Sequence, residues 1–284
     1  DIAEDRGYAI DREGFERGMA RQRELARGAW AGSGQQEVSP VFRTLHEQLG
    51  DTKFIGYDVD EAETVITALV RDGEAVDVLR AGEAGEIVVE LTPFYAESGG
   101  QVGDVGTFDA PTGNASIVNA EYRIGKLVAH VAKVNAGELR KGDKVTARVD
   151  AHRRRNTENH HTATHLLQTA LQHVLGDHVH QAGSYVGPDR LRFDFTHFEG
   201  IEPERLEDVE RLVNEYIRKD VAVATAHESL EEARGGGAMA LFGEKYADEV
   251  RTVRVADVSY ELCGGCHVPR TGVIGFCKLL SESA

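Results

Sequence analysis

Residues 157–175 read Thr-Glu-Asn-His-His-Thr-Ala-Thr-His-Leu-Leu-Gln-Thr-Ala-Leu-Gln-His-Val-Leu, followed by Gly176. At about 100° per residue, Ala163, Leu166, Leu167, Ala170 and Val174 gather on one side of a helix. His161, His165, Gln168 and Gln172 gather on nearly the opposite side. The stretch predicts an amphipathic helix from near Thr157 to Leu175, stopped by the glycine. It also sets two imidazoles one turn apart on the polar face. By itself such a pair is either two surface histidines or half of a metal site. The zinc-protease motif His-Glu-x-x-His does not apply, because its general-base Glu is replaced by Thr162.

A second i, i+4 pair shifts the balance. Cys263-Gly264-Gly265-Cys266-His267 follows a β-rich run, and its two glycines permit a tight turn aiming Cys263 and His267 at one point. Three imidazoles and a thiolate are the donors that hold tetrahedral Zn²⁺. Cys263 and Cys266 also spell Cys-x-x-Cys, open to redox chemistry. A redox dithiol usually begins a helix, however, and Pro269, Thr271 and Gly272 do not continue one. Four protein ligands usually close a structural zinc site; a displaced ligand lets a water bind and become acidic. The residues alone leave both readings open.

Outward from these motifs the texture falls into three zones. Residues 1–50 are helical: Phe15 and Met19 lie at i, i+4 among charges, Gly32-Ser33-Gly34 breaks the pattern, and a short helix with Val41, Phe42, Leu45 and Leu49 starts after Pro40. Residues 51–150 are β-rich, with runs such as 64–67, 87–89 and 145–147 cut by glycine at short intervals, as in a small antiparallel barrel or sandwich. Residues 151–284 mix helix and strand. Leu191-Arg192-Phe193-Asp194-Phe195 alternates strictly. Pro203 opens a helix with Leu206, Val209, Val213, Tyr216 and Ile217 on one stripe, and strands return at 221–224 and 250–258. The class is α+β: an N-terminal helical segment, a Gly-rich β-barrel domain, then an α/β zinc-containing domain.

Of the 284 residues, 48 are acidic and 32 basic; the net charge of −16 excludes non-specific nucleic-acid binding over the whole surface. A local basic run, Arg153-Arg154-Arg155, remains; it reads either as a solvated connecting segment or as a phosphate contact. No run of eighteen apolar residues and no signal-peptide core is present, so no membrane association is expected. Three cysteines do not make a disulfide framework, and reduced thiols in the cytoplasm are expected. A first residue of Asp1 rather than Met reads as a fragment of a longer chain.

Taken together, the motifs resemble the editing domain of alanyl-tRNA synthetases. The matching stretches are 92–101 (Thr-Pro-Phe-Tyr-Ala-Glu-Ser-Gly-Gly-Gln), 161–167, Gln181-Ala182-Gly183-Ser184, 191–195, 238–246 (Ala-Met-Ala-Leu-Phe-Gly-Glu-Lys-Tyr) and Glu261-Leu262-Cys263-Gly264-Gly265 before His267. They run in order over about residues 50–284. Asp11-Arg12-Glu13-Gly14-Phe15 resembles the segment leaving the aminoacylation half. The resemblance implies hydrolysis of the ester joining serine or glycine to the terminal adenosine of alanine tRNA. The chemical need is clear: a synthetic pocket sized for alanine cannot exclude glycine by size, and one added hydroxyl gives limited discrimination.

The same resemblance implies one Zn²⁺ on His161, His165, Cys263 and His267, organising the substrate's amine and ester. It implies a catalytic or reading role for Gln181 and contact of Arg192 and Asp194 with the terminal nucleotide, the alternative for that pair being a plain ion pair. Substrate contact is implied for Ser98, Gly99, Gly100, Gln101, Thr162 and Arg155. The expected partner is the acceptor end of alanine tRNA. ATP is not expected to bind this piece, and oligomerisation is expected to lie in a region outside it. Cys266 departs from the family's usual Thr; it either fills that space or competes for zinc. Rival readings are the related threonyl-tRNA synthetase editing module, a non-catalytic zinc-stabilised tRNA-binding module, and a redox dithiol protein.

Overall fold

A computed structural model describes residues 39–240 and 246–283. The helix expected near Phe15 and Met19, and the 241–245 part of the 238–246 motif, lie outside these residues. The short helix after Pro40 is present as α1 (Pro40–Leu49), with proline in its first turn and Gly50 at its C-cap.

The β-rich zone forms a closed antiparallel barrel. Its strands are β2 (Glu61–Arg71), β5 (Ala84–Val89), β7 (Gly106–Ala110), β8 (Gly113–Ile124), β9 (Leu127–Arg140) and β10 (Lys144–Val149). Hydrogen bonding runs β10-β7-β8-β9-β5-β2, and β2 returns to β10. Of the two alternatives left by the sequence, barrel or sandwich, the ring closure selects the barrel. Between these lie the short strands β1 (Lys53–Phe54), β3 (Glu74–Val76), β4 (Val78–Arg80) and β6 (Leu91–Thr92). Asp72 and Gly73 both take positive φ to turn β2 into β3, the conformation a two-residue hairpin demands.

Side-chain parity in β2 shows how the core is assigned. Ile66 and Leu69 both point into the barrel, although an odd separation should send them to opposite faces. The register slip against β5 between Ile66 and Ala68 restores the phase. Beyond it, Ala68 and Val70 turn outward beneath Phe42 and Leu45 of α1. Thus β2 reads as a continuous apolar run over 68–70, buried on both sides.

After the barrel comes α2 (Ala151–Leu175). It starts six residues earlier than the apolar pattern predicts, because the Asp150 side chain accepts the Arg153 N–H and caps a polar first turn. The arginine run is therefore helical, not a connecting segment. Arg154 is 1% exposed; its guanidinium donates to Asp104, to the Gly56 carbonyl at 2.6 Å and to the Pro93 carbonyl at 2.8 Å. All three acceptors belong to the barrel side of the chain, so this arginine fastens α2 to the barrel.

The apolar stripe of α2 packs as predicted, against Val209, Val213, Tyr216 and Ile217 of α3 (Pro203–Arg218). The hairpin of β11 (Gln181–Val186) and β12 (Leu191–Phe195) contributes Leu191, Phe193 and Phe195 to the same cluster. A three-stranded sheet, β13 (Val223–Ser229), β14 (Glu249–Val255) and β15 (Ser259–Leu262), follows, with α4 (Leu230–Gly235) after β13. The strand foreseen over 250–258 ends at Val255, where a turn with Ala256 at positive φ leads into β15. Among the described residues no helix is long and apolar enough to cross a membrane.

Candidate metal centre

The polar face of α2 is not a surface. His161 is 6% and His165 4% exposed, since that face is covered by the barrel's 98–101 loop and by the segment after β15. Both faces of one helix are interior, one apolar and one polar. Periodicity separates the two faces but says nothing about what covers the polar one.

His161, His165, Cys263 and His267 converge, with one ligand atom of each lying within 4.8 Å of the others. Cys263 Sγ stands 3.4 Å from His161 Nε2 and 3.3 Å from His267 Nε2. Tetrahedral zinc with ordinary Zn–S and Zn–N bonds separates its sulfur and nitrogen ligands by about 3.5 Å, so the spacing fits. Two of the three opposite ring nitrogens are committed elsewhere. His161 Nδ1 bonds Gln101 Oε1 at 2.6 Å, and His267 Nδ1 bonds Thr162 Oγ1 at 3.0 Å. His165 Nδ1 is buried without a hydrogen bond, 3.4 Å from Glu261 Oε1. Outer partners of this kind fix the tautomer and the ring orientation of ligating histidines.

The electrostatics suit a bound cation. Burial, then the neighbouring charges, hold all three imidazoles below their usual pKa, His165 at about 3, so they are neutral and able to ligate. Burial pushes the Cys263 thiol up to about 12 and the Glu261 carboxyl up to about 7. A thiol so placed ionises readily only beside a positive ion. The donor set, its spacing and its outer partners fit a divalent metal of zinc type.

Glycine makes the approach possible. Gly99 and Gly100 both have positive φ, and a side chain on Gly100 would strike Ser184. The loop closes by reciprocal bonds between Ser98 and Gln101 and is stitched to β11, Val186 N–H donating to Gly100 O. This delivers the fully buried Gln101 side chain between the two metal-binding segments; its Oε1 also accepts the Cys266 N–H at 2.9 Å. A Cβ on Gly265 would collide with the His161 ring and Gln101. Cys266 itself is buried, 3% exposed, and is not one of the four clustered ligands.

Above the cluster opens a cavity of about 410 Å³, lined among others by Ser98, Gly99, Thr164, Gln181, Arg251 and Glu261. Gln181 donates through Nε2 to Ser184 Oγ at 3.2 Å. The other expected substrate-side residues lie elsewhere. Gly100 and Gln101 are beneath the wall. Thr162 is fully buried, its hydroxyl engaged by His267 and the Val268 N–H. Arg192 and Asp194 pair with each other at 2.8 Å on the exposed face of β12. Arg155 shares its guanidinium between Asp60 and Glu158.

Three residues escape a sequence reading. Glu261 lies two residues before Cys263, and that offset on a strand was the available signal. Arg251 donates to the carbonyls of Cys263 and Gly265 and lies 4.0 Å over the Tyr57 ring. Tyr57, from the barrel side, bonds Gly264 O at 2.5 Å. Neither has a local signature, being 207 and 12–14 residues from its partners.

A buried His₃Cys centre at the joint of a small barrel and an α/β layer defines a class that comparison identifies. The chain belongs to the class II (A) tRNA synthetases, whose family model matches residues 1–153. A second model, the threonyl and alanyl tRNA synthetase second additional domain, matches residues 250–284, which carry Cys263 and His267. In particular, the chain is similar to alanine–tRNA ligases. It is 49% identical over 287 residues to that of Geobacillus kaustophilus, 48% to that of Geobacillus thermodenitrificans and 48% to that of an Anaeromyxobacter species. Each alignment takes in the whole of this chain and 31–32% of the relative, so the chain spans about a third of the length of the curated relatives it matches.

Proposed function

We propose that this chain is an aminoacyl-tRNA deacylase, the proofreading part of an alanine–tRNA ligase, hydrolysing the ester between serine or glycine and the terminal adenosine of alanine tRNA. One observation carries the reading: a His₃Cys cluster, two of whose imidazoles are hydrogen-bonded from behind by Gln101 and Thr162, lies at the floor of a cavity whose volume suits a small ligand. His161, His165, Cys263 and His267 would hold one Zn²⁺. Bound there, the ion supplies Lewis acidity and a fixed positive charge beside the amino acid's amine and ester.

The chain's own residues do the rest. Gln181, steadied by Ser184, reads the serine hydroxyl or holds the attacking water. Ser98 and Gly99 shape the wall against which the ribose lies. Gly100, Gln101 and Thr162 act from behind, through the loop, His161 and His267, and so refine the direct contact first expected of them. Arg192 and Asp194 act on the terminal nucleotide, which must then open their ion pair. Of the arginine run, the exposed Arg153 and Arg155 meet tRNA phosphates, while buried Arg154 does not. In this reading residues 51–150 are the barrel domain, 151–284 the deacylase domain, and the site of action is the cytoplasm.

The high identity to alanine–tRNA ligases favours alanine over threonine tRNA as the partner. The deciding experiment couples zinc analysis to hydrolysis of Ser-, Gly- and Ala-charged alanine tRNA. Selective loss of the serine and glycine esters is expected. Equal rates on all three, or hydrolysis no faster than buffer, would remove the proofreading claim, and the latter would leave a zinc-stabilised tRNA-binding module.

A further inference from the structure

Phe198 is the least covered aromatic ring among the described residues, 85% exposed, yet it is not isolated. Its ring lies on that of His178, centroids 4.6 Å apart and planes within 24°. His178 in turn lies nearly parallel to His197, at 19°, joined by a 2.9 Å hydrogen bond between His178 Nε2 and His197 Nδ1. That bond holds the His178 ring in place beneath Phe198. Thr196 locks the two segments, its hydroxyl donating to His178 O and accepting from His180 N–H, while its own N–H donates to His180 O. The result is a Phe198-on-His178 stack, braced edge to edge by His197, with its outer face open to solvent.

The location gives this pile a use. It caps the end of the β11–β12 ladder at which Gln181 pairs with Phe195, and Gln181 lines the cavity over the His₃Cys cluster. His197 is two residues beyond Phe195, about 7 Å along the strand direction. His178 is three residues before Gln181. The backbone positions carrying the rings therefore stand within about 10 Å of Gln181 on the cavity wall, roughly three stacked nucleotide steps.

We propose that His178, His197 and Phe198 form a stacking platform for an unpaired nucleobase, one to three nucleotides 5′ of the terminal adenosine whose ester enters the cavity. The proposal rests on the tRNA-deacylase reading for the identity of its ligand. Open aromatic faces bind single-stranded bases at about 1–3 kcal/mol per base, without sequence reading. Stacking also suits the charge. With a net charge of −16, and Asp177 and Glu199 flanking the rings in sequence, the contact relies on ring faces rather than phosphate neutralisation. Its share of the affinity is then insensitive to salt.

The test uses an uncharged acceptor-stem hairpin RNA ending in its unpaired 3′ nucleotides, with binding read by fluorescence anisotropy. Phe198→Ala should weaken binding about 5- to 160-fold, by the same factor at low and high salt. Phe198→Trp should restore it. An abasic residue at one of the three positions 5′ of the terminal adenosine should erase the difference between parent and Phe198→Ala. Unchanged affinity in Phe198→Ala, a loss that shrinks with salt, or equal losses at every abasic position would overturn the platform. Because the readout is binding of uncharged RNA, it stays distinct from the deacylase reading. If parent and Phe198→Ala bind alike while parent still clears Ser-tRNA, the platform alone fails. If binding responds as expected but no ester is hydrolysed, the deacylase reading alone fails.

Discussion

Replacing Gln101 with alanine should cost the proposed metal centre most of its affinity for zinc, although Gln101 is not one of the clustered donors and comes from the barrel. Its Oε1 accepts two N–H groups: His161 Nδ1 at 2.6 Å, on α2, and Cys266 N at 2.9 Å, in the turn that carries Cys263 and His267. One oxygen thus ties together both segments that build the centre. Gln101 is fully buried, so water does not easily replace that oxygen. Loss of an outer partner of a ligating histidine typically costs 10- to 100-fold in metal affinity. With two bonds lost at once the upper end is expected, about 100-fold or about 2.8 kcal/mol. Gln101→Glu keeps an acceptor in place and should remain within about tenfold of the parent. Competition against a chromophoric zinc chelator reads the affinity, and circular dichroism checks that the barrel persists. A folded Gln101→Ala protein binding zinc within about twofold of the parent would refute the coupling described here.

Further expectations follow from the same geometry. Cys263→Ala should lose stoichiometric zinc while Cys266→Ala keeps it, since Cys266 is not among the four clustered donors; equal loss from both variants, by elemental analysis, would overturn the ligand set. Arg154→Met should destabilise by about 3–5 kcal/mol in urea unfolding, because it leaves buried Asp104 without its cation; a loss under about 1 kcal/mol would contradict the fastening role. His130 sits in the barrel core, Nδ1 donating to Ile87 O and Nε2 accepting from Thr92, and burial lowers its pKa to about 4. The unfolded chain, with a pKa near 6.5, then binds the extra proton between pH 6.5 and 4. Stability should therefore fall by about 2 kcal/mol from pH 7 to pH 5 through this group alone. His130→Gln should flatten that slope; an unchanged slope would reassign it to other groups.

What could be read from the chain and what could not differ in a physical way. Periodicity is local, so the α2 stripe, the Pro203 helix and the alternation at 191–195 were legible, and so was the pairing of two i, i+4 motifs. Helix starts depend on one side-chain bond, here Asp150 to Arg153, and the apolar pattern missed it. Arg154 looks like its two neighbours in sequence, yet it alone turns inward, because Asp104, Gly56 and Pro93 meet at its position.

By itself the sequence determined the donor set, the helix that spaces its histidines, the glycines that let the loops close, and the family. Only the tertiary structure decided that the polar face of α2 is interior, that Gln101 and Thr162 turn His161 and His267 toward Cys263, and that Cys266 stands aside. Ligand identity resides in residue types at short spacing, which a chain displays directly. Ligand orientation depends on partners 60 and 105 residues away, and those meet only when barrel and helix close on each other.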